Sequence, residues 1–104
     1  MKKEEQTILI EILGKSPKIR IINFLLDFPF NDFTKQEIIN ALGINKNAFY
    51  KNFEILIKYN LVIPTRKIGK AILYKINLNH PLIKKIKEIE KILSKPREKE
   101  VLIK

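Results

Sequence analysis

The sequence predicts a mainly α fold with one small β-hairpin, an α+β class, and three observations carry that reading. Apolar residues recur at helical spacing in several short segments. Two neighbouring segments each open on a side chain suited to cap a helix, and alternation with a period of two takes over directly after the second. A chain of 104 residues has room for one domain with one modest core. We read residues 1–94 as that domain and residues 95–104 as a flexible tail of mixed charge.

Ile8, Leu9, Ile12 and Leu13 form a stripe at helical spacing that Gly14 would stop, while the alternation Ile8, Ile10, Ile12 suits a strand equally well. Ser16-Pro17 opens the next helix, with serine as N-cap and proline in the first turn, where a missing N–H breaks no bond. That helix runs to about Asp27 and carries Ile19, Ile21, Ile22, Phe24, Leu25 and Leu26, so it belongs at the centre of the core. Phe28-Pro29-Phe30-Asn31-Asp32 then breaks it.

Thr34-Lys35-Gln36-Glu37 is a capping box, with threonine at the N-cap and glutamate three residues on. Phe33 before the cap and Ile38 after it stand as a hydrophobic staple. The helix ends at Ala41-Leu42, and Gly43 sits where a left-handed residue is wanted. The pattern repeats at once. Asn45 caps the next helix, Ile44 and Phe49 form its staple, and Asn60 is suited to the left-handed stop after Tyr59. Two capped helices joined through Gly43-Ile44 make a helix-turn-helix over residues 34–59.

Residues 61–77 come next as a hairpin. Leu61 to Arg66 reads as a strand that Pro64 confines to an edge, Lys67-Ile68-Gly69-Lys70 as a turn, and Ala71 to Ile76 as a strand with Ile72, Tyr74 and Ile76 on one face. A hairpin directly after a helix-turn-helix is a wing. A further helix is expected over 80–94, opened by Asn79-His80-Pro81. Its Leu82, Ile86, Ile89 and Leu93 fall at spacings of four, three and four, the seam of a short coiled coil, with Ile83 and Ile92 broadening it. That seam is the expected interface of a homodimer, with the stripe Ile8, Leu9, Ile12 and Leu13 alongside. The competing reading folds the helix back onto its own domain.

Charge points the same way as the motif. The net charge is +10, and residues 1–34 contribute none of it, with five basic and five acidic side chains. Residues 35–76 hold eight basic and two acidic side chains, and residues 77–104 eight and four. A neutral N-terminal third beside a basic centre suggests a face made for a polyanion.

The order of elements resembles the winged helix-turn-helix transcription regulators of the broad ArsR/MarR type. The resemblance rests on Phe33 to Ile38, Leu42 to Tyr50, Asn60-Leu61-Val62 and Arg66 to Ile76, and with the preceding helix it spans about residues 16–78. It implies duplex DNA as partner and regulation of transcription as function. The cysteines and histidine pairs of that type's metal-sensing members are absent, which argues against an inherited metal sensor.

A helix in the major groove reads base edges mainly from its N-terminal half. On the helix from Asn45, the residues Asn47, Tyr50, Lys51, Glu54 and Lys58 project to one side, and Phe49, Phe53 and Leu56 to the other. Asn47 suits a paired hydrogen bond to adenine, Tyr50 a phosphate or a thymine methyl, and Lys46 and Lys51 phosphate or guanine. Glu54 opposes phosphate and marks the end of close contact. Lys35 and Gln36, at the positive end of the first motif helix, are expected backbone clamps, and Arg66, Lys67 and Lys70 the wing's contacts to backbone or minor groove.

Other classes find little in the sequence. There is no cysteine, and His80 is the single histidine, so thiolate chemistry and a histidine metal cage have no residues to build on. Three glycines leave little for a phosphate-cradling loop. We therefore expect no enzyme activity, no cofactor and no metal. No apolar run approaches a membrane span or a secretory leader, so a cytoplasmic, nucleoid-associated protein is the expectation. The alternative function is a winged-helix module that docks proteins. RNA binding is a third, weakened by the lack of an aromatic-rich sheet face.

Overall fold

The computed structural model describes Gly14 and residues 16–103, as backbone alone from 93 onward. The stripe at Ile8, Leu9, Ile12 and Leu13 lies outside the described residues. Helix α1 spans Pro17–Asp27, α2 Lys35–Leu42 and α3 Lys46–Lys58. Strands β1 (Val62–Ile68) and β2 (Ala71–Ile76) come after them, then helix α4, Pro81–Ile103. This is the winged helix-turn-helix layout: three helices, an antiparallel hairpin and a closing helix. No helix among the described residues is long and apolar enough to cross a membrane.

Local chemistry sets each boundary. The Ser16 hydroxyl accepts from the Ile19 N–H, with proline next in line at the first helical position. At α2 both halves of the capping box form: the Glu37 N–H donates to Thr34 Oγ1 at 3.1 Å, and the Thr34 N–H donates to Glu37 Oε1 at 2.8 Å. Gly43 ends α2 with φ +62°, and its N–H reaches the Ile39 carbonyl. Asn45 caps α3 through the Ala48 N–H at 3.0 Å. Asn60, also at φ +62°, closes α3. Its N–H donates to Ile57 O and that of Leu61 to Leu56 O, the paired bonds of a Schellman stop.

The core is one cluster drawn from every element. Ile21, Leu25, Ile38, Phe49, Phe53, Val62, Ile76 and Ile83 are fully buried in it. Burying a side chain of this size contributes about 1.5–3 kcal/mol, so removing any one of them would open a costly cavity. Phe49 and Phe53 stack at 4.8 Å, and Tyr74 meets Phe53 edge-on at 5.1 Å, which fastens the hairpin to α3. Phe33 adds an isolated antiparallel bridge to Tyr74, with both N–H···O bonds at 2.8 Å, so the segment entering α2 is stitched to β2. One polar group breaks the pattern. Asn23 is fully buried in α1, and neither atom of its amide finds a partner among the described residues.

Two expectations need correcting. The closing helix does not stop at 94 but continues to Ile103 through Pro96. Pro96 forfeits one hydrogen bond to the carbonyl of Ile92, and the Arg, Lys, Glu, Leu and Ile around it are helix formers that outweigh the loss. The four-residue seam is also split. Ile86 is buried in its own domain's core together with Ile83, whereas Leu82 and Ile89 are exposed. A turn of 100° per residue separates the two pairs onto adjoining faces, so Ile86 is no interface residue. The side chain of Leu93 lies outside the described residues.

Candidate nucleic-acid interface

The outward face of α3 is polar from one end to the other. Lys46, Asn47, Tyr50, Lys51, Glu54 and Lys58 are all exposed, while Phe49, Phe53 and Leu56 on the opposite side are buried. The amphipathic split follows from the helical period, and the buried aromatics fix the helix's rotation about its axis. Asn47, Lys46 and Lys51 have no hydrogen bond or ion pair to another described residue. Their donors and acceptors are therefore available to a partner.

Lys35 is the point at which three elements meet. Its ammonium lies 5.5 Å from the Tyr50 ring, 5.9 Å from Phe53 and 5.7 Å from Tyr74. Such cation–π contacts hold the charge in place without neutralising it. Beside Lys35 runs an open groove of about 320 Å³, with Thr34 and Gln36 on the α2 side and Lys70, Ala71, Ile72 and Tyr74 on the wing side. The first turn of α2 borders this groove and brings to it the electropositive end of a helix. Gln36 is turned along its own helix, its amide donating to Asn40 Oδ1 at 2.9 Å, so it contributes less freely than the sequence suggests.

The wing divides into a pinned root and an open tip. Arg66 is not among the free cations at the tip: its Nε donates to Asp32 Oδ2 at 2.9 Å and its Nη2 to Oδ1 at 3.1 Å. The Thr65 hydroxyl donates to the same carboxylate. The Arg66 guanidinium, then the Thr65 hydroxyl, hold the Asp32 carboxyl down at about 2, below its ordinary 3.8. A register shift between Pro64 and Arg66 bulges β1 at the same place and re-aims the strand beyond it. Lys67 and Lys70 remain exposed and have no partner among the described residues. Two-point capture by the Asp32 carboxylate makes Arg66 a strut of the wing root, while its side chain stays 59% exposed.

Nothing in the sequence pointed to Asp32, which lies 34 residues from Arg66 along the chain. A broader signal was present and easy to overlook. Between Glu54 and Glu88 there is no acidic residue, so α3's last turn, the whole wing and the start of α4 are free of negative side chains. Lys18 and Arg20, by contrast, serve the fold. Lys18 donates to Asn52 Oδ1 at 2.7 Å, and Arg20 donates to the Leu42 carbonyl at the end of α2.

His80 joins α3 to α4. Its Nδ1 accepts from the Leu82 N–H at 3.0 Å, which leaves the ring's proton on Nε2, facing the Tyr59 carbonyl at 3.0 Å. Beyond it, α4 sets Ile83 and Ile86 into the core and leaves Leu82, Ile89 and Ile92 exposed. Glu90 lies toward α1, where burial and then the charge of Asp27 push its carboxyl up, against the pull of Lys87.

Comparison with known proteins supports the fold alone. No family model matches the chain. No curated protein matches it either. Among solved structures it is similar to the ST1889 protein of the thermoacidophilic archaeon Sulfolobus tokodaii. The two share 19% identity and a TM-score of 0.54, over 97% of this chain and 99% of that one.

Proposed function

We propose that this is a sequence-specific double-stranded DNA-binding protein that regulates transcription as a homodimer in the cytoplasm. Helix α3 lies in the major groove and the wing tip on the backbone or minor groove. The observation that carries the reading is the convergence at Lys35. There the first turn of α2, the outward face of α3 and the wing form one continuous surface rich in hydrogen-bond donors. Glu54 is the one acid on the outward face of α3, and the Glu37 carboxylate is engaged in the cap of α2. Asn47 and Lys51 take the role of base readers, Lys46 and Tyr50 flank them, and Lys35, Lys67 and Lys70 hold phosphates.

A single winged helix reads few base pairs, and two-fold symmetry is the usual way to lengthen a site. The exposed stripe Leu82, Ile89 and Ile92 on α4 supports a second copy as the occupant of that face.

Affinity for duplex DNA measured across a salt series tests the reading. A log–log slope of magnitude roughly 4–9 is expected if a dimer neutralises about 5–10 phosphates. Binding that ignores salt would instead favour a protein-docking module.

A further inference from the structure

The outermost part of the wing is not built like a phosphate clamp. Ile68 and Ala71 face each other across a two-residue turn, and Gly69 opens that turn at φ +63° with no atom within 4 Å of where a Cβ would stand. Gly69 in the first central position suits a type II′ turn, whose twist matches the strands it joins. Every residue from Arg66 to Ile72 is exposed, and Ile68 keeps 55% of its surface in water. An isoleucine there forgoes the stabilisation of burial and offers a phosphate nothing. Lys67 precedes it and Lys70 comes after the glycine, both without a partner among the described residues. The Asp32–Arg66 strut stiffens the hairpin just before this point.

We infer that Ile68 is a specificity-determining contact, an apolar probe that the wing tip places in the minor groove of A·T-rich duplex DNA. The inference rests on the DNA reading and deepens it. The minor groove is about 6 Å wide and its A·T floor offers only acceptors, whereas a G·C pair raises an exocyclic amine into it. The side chains of Ile68 and Ala71 supply no acceptor for that amine and leave it both desolvated and crowded. On an A·T floor, with no amine in the way, the same side chains rest against the sugar walls. Gly69 and Ala71 keep the tip slim enough to enter. Lys67 and Lys70 then reach the phosphates on the groove's two rims.

Inosine separates the grooves, because I·C shows the major-groove pattern of G·C but lacks the amine in the minor groove. The full chain is titrated against alternating A·T, G·C and I·C duplexes of equal length. Wild-type protein is expected to bind G·C at least about fivefold more weakly than I·C, which presents the same major groove to α3. Ile68→Ala should bring I·C and G·C to within about twofold of each other and leave the salt slope as it was. Lys70→Ala should weaken all three by a common factor. I·C behaving as G·C, or discrimination that survives Ile68→Ala, overturns the inference. Salt-dependent binding in that event leaves the DNA reading standing. Failure to bind any of the three duplexes removes both.

Discussion

Helices α3 and α4 are both amphipathic and both bury one side in the same core, yet only α4 adds an apolar stripe to the charged residues it turns to solvent. The free side of α3 carries Asn47, Tyr50, Lys51, Glu54 and Lys58, whereas the free side of α4 carries Leu82, Ile89 and Ile92 among Lys84, Lys85, Lys87, Glu88 and Lys91. Burial of Phe49, Phe53 and Leu56 in one, and of Ile83 and Ile86 in the other, fixes which side faces out. Core packing explains the buried residues of each helix and says nothing of the exposed ones. The exposed sets are where the proposed partners, DNA on α3 and a second copy on α4, can be tested.

The largest effects should come from crossing the boundary between the two sides. Phe53→Ala removes a fully buried ring from the centre of the core and should cost about 3–5 kcal/mol of stability in urea unfolding. Ile86→Glu places a charge among the same residues and should give an unfolded or molten chain. Ile89→Glu, on the exposed side of α4, should shift stability by no more than about 0.5 kcal/mol while converting the proposed dimer to monomers in sedimentation. If Ile89→Glu unfolds the protein, or leaves the same dimer, the division of α4 into two faces is wrong as a guide to assembly.

A smaller set of effects sharpens the role of α3 against that of the wing. Asn47→Ala or Lys51→Ala should lower affinity for a specific site by about 1–3 kcal/mol and relax its sequence preference. Lys67→Ala and Lys70→Ala should weaken specific and random DNA alike. Competition binding against random-sequence duplex separates the two patterns. Preference that moves with Lys67 and not with Asn47 would exchange the roles of helix and wing.

The range of each force decides how much of this could be read from the sequence. Caps and stops act within four residues, so Thr34 with Glu37, Asn45, Gly43 and Asn60 could be read directly and stand as expected. The outward residues of α3 were legible because its buried aromatics fix the helical phase. The wing's strut was not, since Asp32 and Arg66 meet only after the chain has passed through α2, α3 and β1. The seam on α4 failed for a related reason. Leu82, Ile86, Ile89 and Leu93 fit a heptad, but the pattern cannot tell which of two adjoining apolar faces the domain keeps for itself. Only packing in the shared core assigns Ile83 and Ile86 inward.

The smallest expected effects lie in two carboxylates that titrate in opposite directions. The fold favours the charged form of Asp32, held at about 2 by Arg66 and Thr65, so its contribution is complete above the ordinary 3.8 and disappears as pH falls through about 2. The fold disfavours the charged form of Glu90, raised by burial and by Asp27, so its charge is a burden at neutral pH. Acidification should lift that burden when Glu90 takes up its proton above the ordinary carboxylate range. Stability measured by urea unfolding from pH 7 downward should therefore rise slightly, then fall once Asp32 is titrated. Glu90→Gln should abolish the rise and leave the late fall. Asp32→Asn should remove its share of the late fall, keep the rise, and release Arg66 to solvent, which the guanidinium Nε–H resonance would report. A decline that starts at neutral pH and is unchanged in Glu90→Gln would mean that α4 does not bring Glu90 against α1 in solution. A late fall, below pH 3.8, that is unchanged in Asp32→Asn would mean that the wing is not braced at its root.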